Sequence, residues 1–334
     1  MPEHVTILGD GAMATVCSIL LRQGGHGVTM WGAFEESIER LMQDRENRRL
    51  LPGVSVPAEV RLTANDADAF TGATMILSAI PTQYMRSVWK RLSSRVPAGV
   101  PIVSVAKGIE NETLRRPTEI IAEFTKGNPL IALSGPNIAG EIAKYLPATA
   151  VAACDDMTMA QRVQVAFSTQ WFRVYTNNDV VGVELAGATK NVIAIAAGIL
   201  DGLAAGNNAK AALVTRGLVE ITRLGIAMGA KPETFGGLAG LGDLITTCVS
   251  PEGRNRTVGE QIGKGKKLVD VLSKMDSVAE GVPTTKSVRM LASRYKVEMP
   301  ITESVYAVLF ENKDVINALT ELMTRDPKAE KAGI

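Results

Sequence analysis

Residues 5–14 read VTILGDGAMA, a short apolar run that ends in a glycine-rich turn. The turn has the pattern G-x-G-x-x-A, and the stretch 12–22 that follows it fits a helix. Glycine permits a tight turn and a close approach of the backbone to a ligand, and the start of the helix presents N–H groups that suit a pyrophosphate. Because the pattern directly follows an N-terminal strand, it predicts a dinucleotide site.

Further short apolar runs recur through the first half of the chain, separated in several places by stretches that could hold a helix. They predict strands at 5–8, 28–31, 75–80, 102–105, 130–133, 149–153 and 172–175. This alternation is typical of βαβ crossovers and of a mostly parallel sheet.

After residue 178 the pattern changes, because strand-like segments nearly vanish. The run 179–199 is continuous, rich in alanine and long enough for a helix of several turns, and apolar residues at 214, 218, 221 and 224 repeat at helical spacing. We therefore predict two domains: an α/β Rossmann domain at 1–178 that binds the dinucleotide, and an all-α domain at 179–334 that binds the substrate and carries the catalytic groups.

The composition narrows the class of protein. The chain has 334 residues, of which 46% are hydrophobic, and is longer than one core usually grows. Its 36 Lys and Arg nearly balance its 35 Asp and Glu, which argues against a nucleic-acid or membrane-surface partner. We find no signal-peptide pattern and expect no membrane span. Cys17, Cys154 and Cys248 are too few and too scattered for a disulfide framework or a zinc cluster, so we expect a cytoplasmic protein without a bound metal.

The end of the second strand bears on the choice between NAD and NADP. Many NAD sites place an acidic residue there, on the adenosine ribose, but residues 31–36 read WGAFEE. No arginine stands in this stretch to receive a 2'-phosphate, so we favour NAD and leave NADP open. Phe34 is either a contact of the adenine or a partly buried core aromatic.

Five segments carry the side chains that suggest chemistry: SVAKGIE at 104–110, LSGPNIA at 133–139, KN at 190–191, LGDLITT at 241–247 and GRNR at 253–256. The two histidines, His4 and His26, both lie near the start, so a proton needed elsewhere must come from Lys, Asp, Glu, Tyr or Cys. Alternatives remain at this stage: Lys190 could be a surface lysine, Asp243 a helix cap, and 254–256 a solvated basic turn.

Together and in this order, these segments resemble the NAD(P)-dependent glycerol-3-phosphate dehydrogenases over nearly the whole chain. That family interconverts dihydroxyacetone phosphate and sn-glycerol 3-phosphate. The resemblance implies a Rossmann domain joined to an all-helical domain like that of 6-phosphogluconate dehydrogenase, with the site in the cleft between them. It also implies a homodimer and a role in glycerophospholipid synthesis.

The resemblance implies individual roles as well. Lys190 matches the catalytic lysine of the family and Asp243 its carboxylate partner. The candidate substrate contacts are Lys107, Gly135, Asn137, Lys190, Asn191, Asp243, Thr247, Gly253, Arg254 and Asn255. The candidate cofactor contacts are Gly9, Asp10, Gly11, Ala12, Met13, Ala14, Phe34, Tyr84, Lys107, Ala139, Arg254, Val278 and Glu280.

Two departures from the family pattern leave the cofactor preference open. Met13 and Ala14 stand where the family commonly has an aromatic residue and glycine. The strand end at 31–36 resembles the eukaryotic NAD-specific branch, whereas VAEG at 278–281 looks bacterial.

The reaction itself explains the need for these groups. Hydride transfer to a ketone builds negative charge on its oxygen, which Lys190 could stabilise and protonate. A neighbouring cation such as Lys107 would lower the pKa of Lys190, whereas Asp243 and the substrate phosphate would raise it, so the net direction stays open. Arg254 and Asn255 could hold the phosphate.

Two other functions remain open. One is a dehydrogenase of a hydroxyacid such as 6-phosphogluconate or 3-hydroxyisobutyrate, and the other is a cofactor-binding sensor without chemistry. Arg254, Asn255 and Asp243 favour a small phosphate ester over the hydroxyacids.

Overall fold

The computed structural model describes residues 2–275, 278–327 and 329–330. The chain divides into two units, Met1–Lys107 with Arg116–Val180, and Gly108–Arg115 with Val181–Ile334. The segment 108–115 belongs to the second unit, although the predicted boundary after residue 178 placed it in the first. The reason is that Ile109 and Leu114 are buried in the apolar core of the second unit, where the Ser287 hydroxyl donates to the carbonyl oxygen of Ile109 at 3.0 Å.

The first unit is built on an eight-stranded sheet with the order β3-β2-β1-β4-β5-β6-β7-β8. Its strands are β1 (His4–Leu8), β2 (Gly27–Trp31), β3 (Arg61–Thr63), β4 (Met75–Ser78), β5 (Ile102–Ser104), β6 (Leu130–Ser134), β7 (Ala148–Ala153) and β8 (Phe172–Asn177). All neighbouring pairs are parallel except β6 and β7. The predicted mostly parallel sheet is confirmed. Only β3 was not predicted, because this edge strand has three residues and no apolar run.

Helices connect the strands of this sheet. They are α1 (Ala12–Gln23), α2 (Glu35–Asp44), α3 (Thr82–Leu92), a turn of 3-10 helix (Ser93–Arg95), α4 (Pro117–Ala122), α5 (Ala139–Ala143) and α6 (Met157–Phe167). The chain adds β2 and β3 on one side of β1 and then returns to add β4 on its other side, so the strand order reverses between β1 and β4. The carboxyl ends of β1 and β4 therefore form the switch point at which open α/β sheets bind ligands.

The second unit is helical, and no strand occurs among the described residues after 178. Its elements are α7 (Val180–Gly202), α8 (Gly206–Ala227), α9 (Pro232–Phe235), a π-helix (Leu238–Gly242), α10 (Asp243–Val249), α11 (Arg254–Gly263), α12 (Leu268–Leu272), α13 (Gly281–Tyr295), α14 (Pro300–Phe310) and α15 (Val315–Met323). The predicted helical second part is confirmed.

Helix α7 qualifies the expectation about membrane spans. It has 23 residues and a mean hydropathy of 1.5, so its length and composition alone would let it cross a membrane. However, 83% of that apolar window is buried inside the protein, as in the core helix of a soluble protein. Its apolarity is therefore weak evidence for a span.

Helices α7 and α11 approach each other through glycines. A Cβ on Gly198 would lie 1.9 Å from the carbonyl oxygen of Arg256, and a Cβ on Gly259 would lie 1.9 Å from that of Ile195. Only glycine allows the two backbones to come this close. This contact sets the distance between Lys190, on α7, and the first residues of α11.

Candidate active site

The glycine turn lies at the switch point of the sheet. Gly9 has φ +117°, and a Cβ there would be 2.8 Å from the carbonyl oxygen of Ala79, so the fold itself requires this glycine. Gly11 is different, because the nearest atom to a Cβ there, on Leu50, is 4.0 Å away. The open space beside Gly11 and the first N–H groups of α1, which have no acceptor within the helix, fit a pyrophosphate.

The remaining residues of the turn pack inward. Ala14 is buried in the core of the first unit, and Ala12 and Met13 pack partly against it. The aromatic residue that the family commonly has in place of Met13 is therefore replaced by an unbranched apolar side chain that still reaches the core.

The predicted adenine contact Phe34 and the predicted cofactor contact Tyr84 are both accessible. Phe34 is 75% exposed, so the alternative of a partly buried core aromatic is wrong. Tyr84, in the first turn of α3, is 56% exposed. The structure also brings Arg91 from the end of α3 to this strand end, where its Nη1 donates to the carbonyl oxygen of Ala33 at 3.1 Å. Sequence reasoning missed Arg91 because it considered only residues adjacent to the strand.

A second group of polar residues follows β5 and β6. Lys107 donates through Nζ to the carbonyl oxygen of Gly135 at 2.8 Å. Gly135 has φ +148°, and a Cβ there would lie 2.8 Å from the carbonyl oxygen of Thr149, which also accepts from Asn137 Nδ2 at 2.9 Å. Ala139 begins the short helix α5 just beyond. The structure thus brings two of the five sequence segments together at neighbouring strand ends.

Lys190 is the centre of the polar residues in the second unit. It is 5% exposed, and its Nζ donates to Asp243 Oδ1 at 2.7 Å and to the hydroxyl of Thr247. Asp243 is 1% exposed. The interpretation of Lys190 as a surface lysine is therefore wrong. Asp243 does lie in the first turn of α10, as expected for a helix start. Thr247 follows four residues later and therefore lies on the same face of the helix.

The first residues of α11 lie next to this pair. Asn255 is 8% exposed, and its Oδ1 accepts from the backbone N–H of Gly281 at 2.9 Å. A Cβ on Gly281 would be 2.7 Å from the carbonyl oxygen of Asn191, the neighbour of Lys190, and a Cβ on Gly253 would be 3.1 Å from that of Thr247. The second unit thus brings together its three predicted segments.

The basic residues of this segment have different roles. Arg254 is exposed and donates through Nη1 to the carbonyl oxygen of Val278 at 3.0 Å, near Glu280 in the chain. Arg256 forms an ion pair with Asp201 at 2.7 Å and is mostly buried, so it is not part of a solvated turn. Arg254, Val278 and Glu280 belong to the second unit, whereas the other candidate cofactor contacts belong to the first.

Other candidate proton donors are poorly suited. His4 and His26 lie at the amino ends of β1 and β2, the edge of the sheet opposite the glycine turn, and burial lowers the pKa of both. Cys248 follows Thr247, but burial raises the pKa of its thiol to about 12. The two histidines and Cys248 are therefore poorly suited to proton delivery.

A doubly wound sheet with a glycine turn at its switch point, together with a helical unit that buries a lysine–aspartate pair, defines a nicotinamide-dependent dehydrogenase. The family model of the NAD-dependent glycerol-3-phosphate dehydrogenase N-terminus matches residues 4–160, and that of its C-terminus matches residues 179–320. The chain belongs to the NAD-dependent glycerol-3-phosphate dehydrogenase family.

Individual relatives extend over the whole chain. The glycerol-3-phosphate dehydrogenase (NAD(P)+) of Citrifermentans bemidjiense is 48% identical over 333 residues, which are 99% of either chain. A protein of the same name from Salinibacter ruber is 48% identical and covers 99% of this chain and 97% of its own. The crystal structure of glycerol-3-phosphate dehydrogenase from Coxiella burnetii has a TM-score of 0.94 at 34% identity, covering 97% of this chain and 99% of its own.

Proposed function

We propose that this protein is an NAD(P)-dependent dehydrogenase that interconverts dihydroxyacetone phosphate and sn-glycerol 3-phosphate. The observation that carries the proposal is the buried Lys190–Asp243 pair with the Thr247 hydroxyl, in a chain of this family. A buried ammonium group costs free energy even when it is paired. A cofactor-binding sensor without chemistry would not need this buried ammonium group.

The substrate phosphate binds at the start of α11. Arg254 offers a forked set of donors, and the first N–H groups of the helix favour an anion. Because Asn255 Oδ1 already accepts from Gly281, its NH2 group is the part that donates to the phosphate. The phosphate then serves as a handle that positions the ketone, which a hydroxyacid substrate would lack if it carried no phosphate.

Lys190 acts on the ketone oxygen. The nicotinamide supplies the hydride to the ketone carbon when it is bound. Negative charge then develops on the oxygen, and the Lys190 ammonium stabilises this charge and transfers a proton to it. Asp243 and Thr247 hold Nζ in place, so that the donor is oriented before the reaction begins. Lys107, Gly135, Asn137, Asn191 and Gly253 complete the substrate contacts.

The first domain, to residue 178, binds the dinucleotide, and the domain from 179 onward binds the substrate. The turn from Gly9 to Ala14 holds the pyrophosphate, and Phe34 contacts the adenine. By the family resemblance, the remaining cofactor contacts are Tyr84, Lys107, Ala139, Arg254, Val278 and Glu280.

We further propose a cytoplasmic homodimer that supplies glycerol phosphate for phospholipids. The family resemblance supports this, and the three buried, unbridged cysteines fit a reducing compartment. Light scattering of the purified protein tests the dimer.

Initial rates test the activity. Purified protein is assayed with NADH or NADPH and dihydroxyacetone phosphate, and in the oxidative direction with glycerol 3-phosphate, 6-phosphogluconate and 3-hydroxyisobutyrate. We expect turnover of dihydroxyacetone phosphate with NADH or NADPH at least about 100-fold above that of 3-hydroxyisobutyrate, which has no phosphate to serve as a handle, and faster oxidation of glycerol 3-phosphate than of 6-phosphogluconate. Cofactor binding without turnover of any substrate would instead support a sensor, and faster oxidation of a hydroxyacid would refute the proposed substrate.

A further inference from the structure

The first unit brings an acidic side chain to the end of β2 from the glycine turn. The N–H of Gly9 donates to the carbonyl oxygen of Trp31, the last residue of β2, at 2.8 Å. The next residue, Gly32, has no side chain, and a Cβ there would lie 3.2 Å from Cγ of Asp10. The nearest atoms to such a Cβ are Cδ1 and Cγ1 of Ile38, both at 2.7 Å, so the Asp10 carboxyl group lies beside the space that a side chain at residue 32 would enter.

The carboxyl group of Asp10 is held in a defined orientation. The hydroxyl of Ser37, in the first turn of α2, donates to Asp10 Oδ2 at 2.5 Å. Asn47 Nδ2 donates to the backbone carbonyl oxygen of Asp10 at 2.7 Å. In the part of the chain that the structure describes, Oδ1 makes no hydrogen bond, and Asp10 is only half-buried. A held carboxyl group with Oδ1 left to accept hydrogen bonds thus lies in the glycine turn.

The position of this acceptor suits a ribose. In Rossmann sites, a carboxylate at the end of the second strand accepts hydrogen bonds from the adenosine ribose hydroxyls. A 2'-phosphate in the same place would bring like charges together, which is unfavourable. The arginine at this strand end cannot easily compensate, because both Nε and Nη2 of Arg91 bond Asp66 at 2.7 Å.

We propose that the side chain of Asp10 receives the adenosine ribose hydroxyls and makes the site selective for NAD over NADP. The middle residue of the G-x-G turn thereby replaces the acidic residue that β2 lacks. This inference rests on the proposed dinucleotide binding. Glu35 and Glu36, which follow β2 in the sequence, are exposed on α2 and are not required.

Binding of cofactor fragments tests this role without turnover. The probes are ADP-ribose and 2'-phospho-ADP-ribose, measured by calorimetry with the wild type and with Asp10→Asn, which has nearly the same shape but no charge. We expect the wild type to bind ADP-ribose at least about 10-fold more tightly than its 2'-phosphate. A hydrogen bond to a charged group is worth about tenfold or more in affinity, so Asp10→Asn should shift this ratio at least about tenfold towards the 2'-phosphate.

Matched variants separate Asp10 from the other acidic groups. Glu35→Gln and Glu36→Gln each remove one negative charge near the same strand end and should leave the ratio within about threefold, because exposed charges are screened. Asp10→Ala should shift the ratio in the same direction as Asp10→Asn. It serves as the second test of the proposal if Asp10→Asn does not fold. In steady-state kinetics, both Asp10 variants should also shift the ratio of kcat/KM for NADH to kcat/KM for NADPH towards NADPH. This shift should come from KM, with kcat little changed.

Four results would overturn the proposal. Tighter binding of the 2'-phosphate by the wild type is one, and an unchanged ratio in both Asp10 variants is another. A shift produced by Glu35→Gln or Glu36→Gln instead would assign the role to α2. Failure of the wild type to bind either fragment would also overturn it, and would count against dinucleotide binding itself rather than against Asp10 alone.

Discussion

The glycine contact between α7 and α11 allows a sharp test of how the site is positioned. Gly198→Ala places a methyl group 1.9 Å from the carbonyl oxygen of Arg256, whereas real Cβ contacts are essentially never shorter than 3.0 Å. The obstructing atom belongs to the backbone and cannot rotate away. The two helices would therefore have to separate by about 1 Å.

The expected cost follows from this displacement. Helix propensity alone favours alanine over glycine by about 1 kcal/mol. Overpacking of a tight core costs about 1–3 kcal/mol and occasionally more, and we expect a net loss of about 3 kcal/mol for a clash with backbone. For a unit of this size that loss lowers Tm by about 10 °C. Since Lys190 and the start of α11 would move apart, kcat/KM should fall about 100-fold.

Thermal unfolding and steady-state kinetics measure both effects. Gly236→Ala is the matched control, because Gly236 has a right-handed helical conformation and a Cβ there would be 3.7 Å from its nearest neighbour, an ordinary contact. The control should change Tm by less than about 3 °C. A Gly198→Ala enzyme with normal Tm and normal kcat/KM would refute the proposed role of this contact.

Three further predictions concern single side chains. Asp243→Asn leaves the buried Lys190 ammonium without its counter-charge. The free energy of unfolding should fall by about 3 kcal/mol, measured by denaturant titration, and kcat should fall by at least about 100-fold, measured by steady-state kinetics. Arg254→Ala should raise KM for dihydroxyacetone phosphate by at least about tenfold with kcat changed less, because it removes a phosphate contact; a change confined to kcat would contradict this. Burial raises the pKa of Glu220 to about 7, from 4.5, so folding favours its protonated form. The stability of the protein therefore falls as pH rises from about 4.5 through 7. Glu220→Gln should remove about 3 kcal/mol of this pH dependence, measured as the difference between the unfolding free energies at pH 5 and pH 8.

Much of the architecture followed from local patterns in the sequence. Apolar runs marked the strands because buried parallel strands need them, and the glycine turn marked the switch point. Strand β3 was not predicted, since an edge strand of three residues leaves no such pattern. The segment 108–115 joined the second unit because of tertiary burial of Ile109 and Leu114, which no local signal encodes.

The candidate site was predictable only in part. The spacing of residues could not decide whether Lys190 was buried, and the structure answers this through its contacts with Asp243 and Thr247. Asp10 was predicted as a member of the glycine turn, but the approach of its side chain to Gly32 depends on folding. The signal was present, since an acidic residue inside the G-x-G pattern coincides with the absence of one directly after β2.

The role of Lys190 is tested most directly by the single-turnover rate of NADH oxidation with dihydroxyacetone phosphate in Lys190→Ala, measured alongside the Kd for NADH. We predict a rate at least about 1000-fold below the wild type, because charge stabilisation and proton transfer are both lost. The Kd for NADH should stay within about threefold, because the pyrophosphate contacts belong to the first unit. A variant that oxidises NADH at close to the wild-type rate would contradict the proposed chemistry.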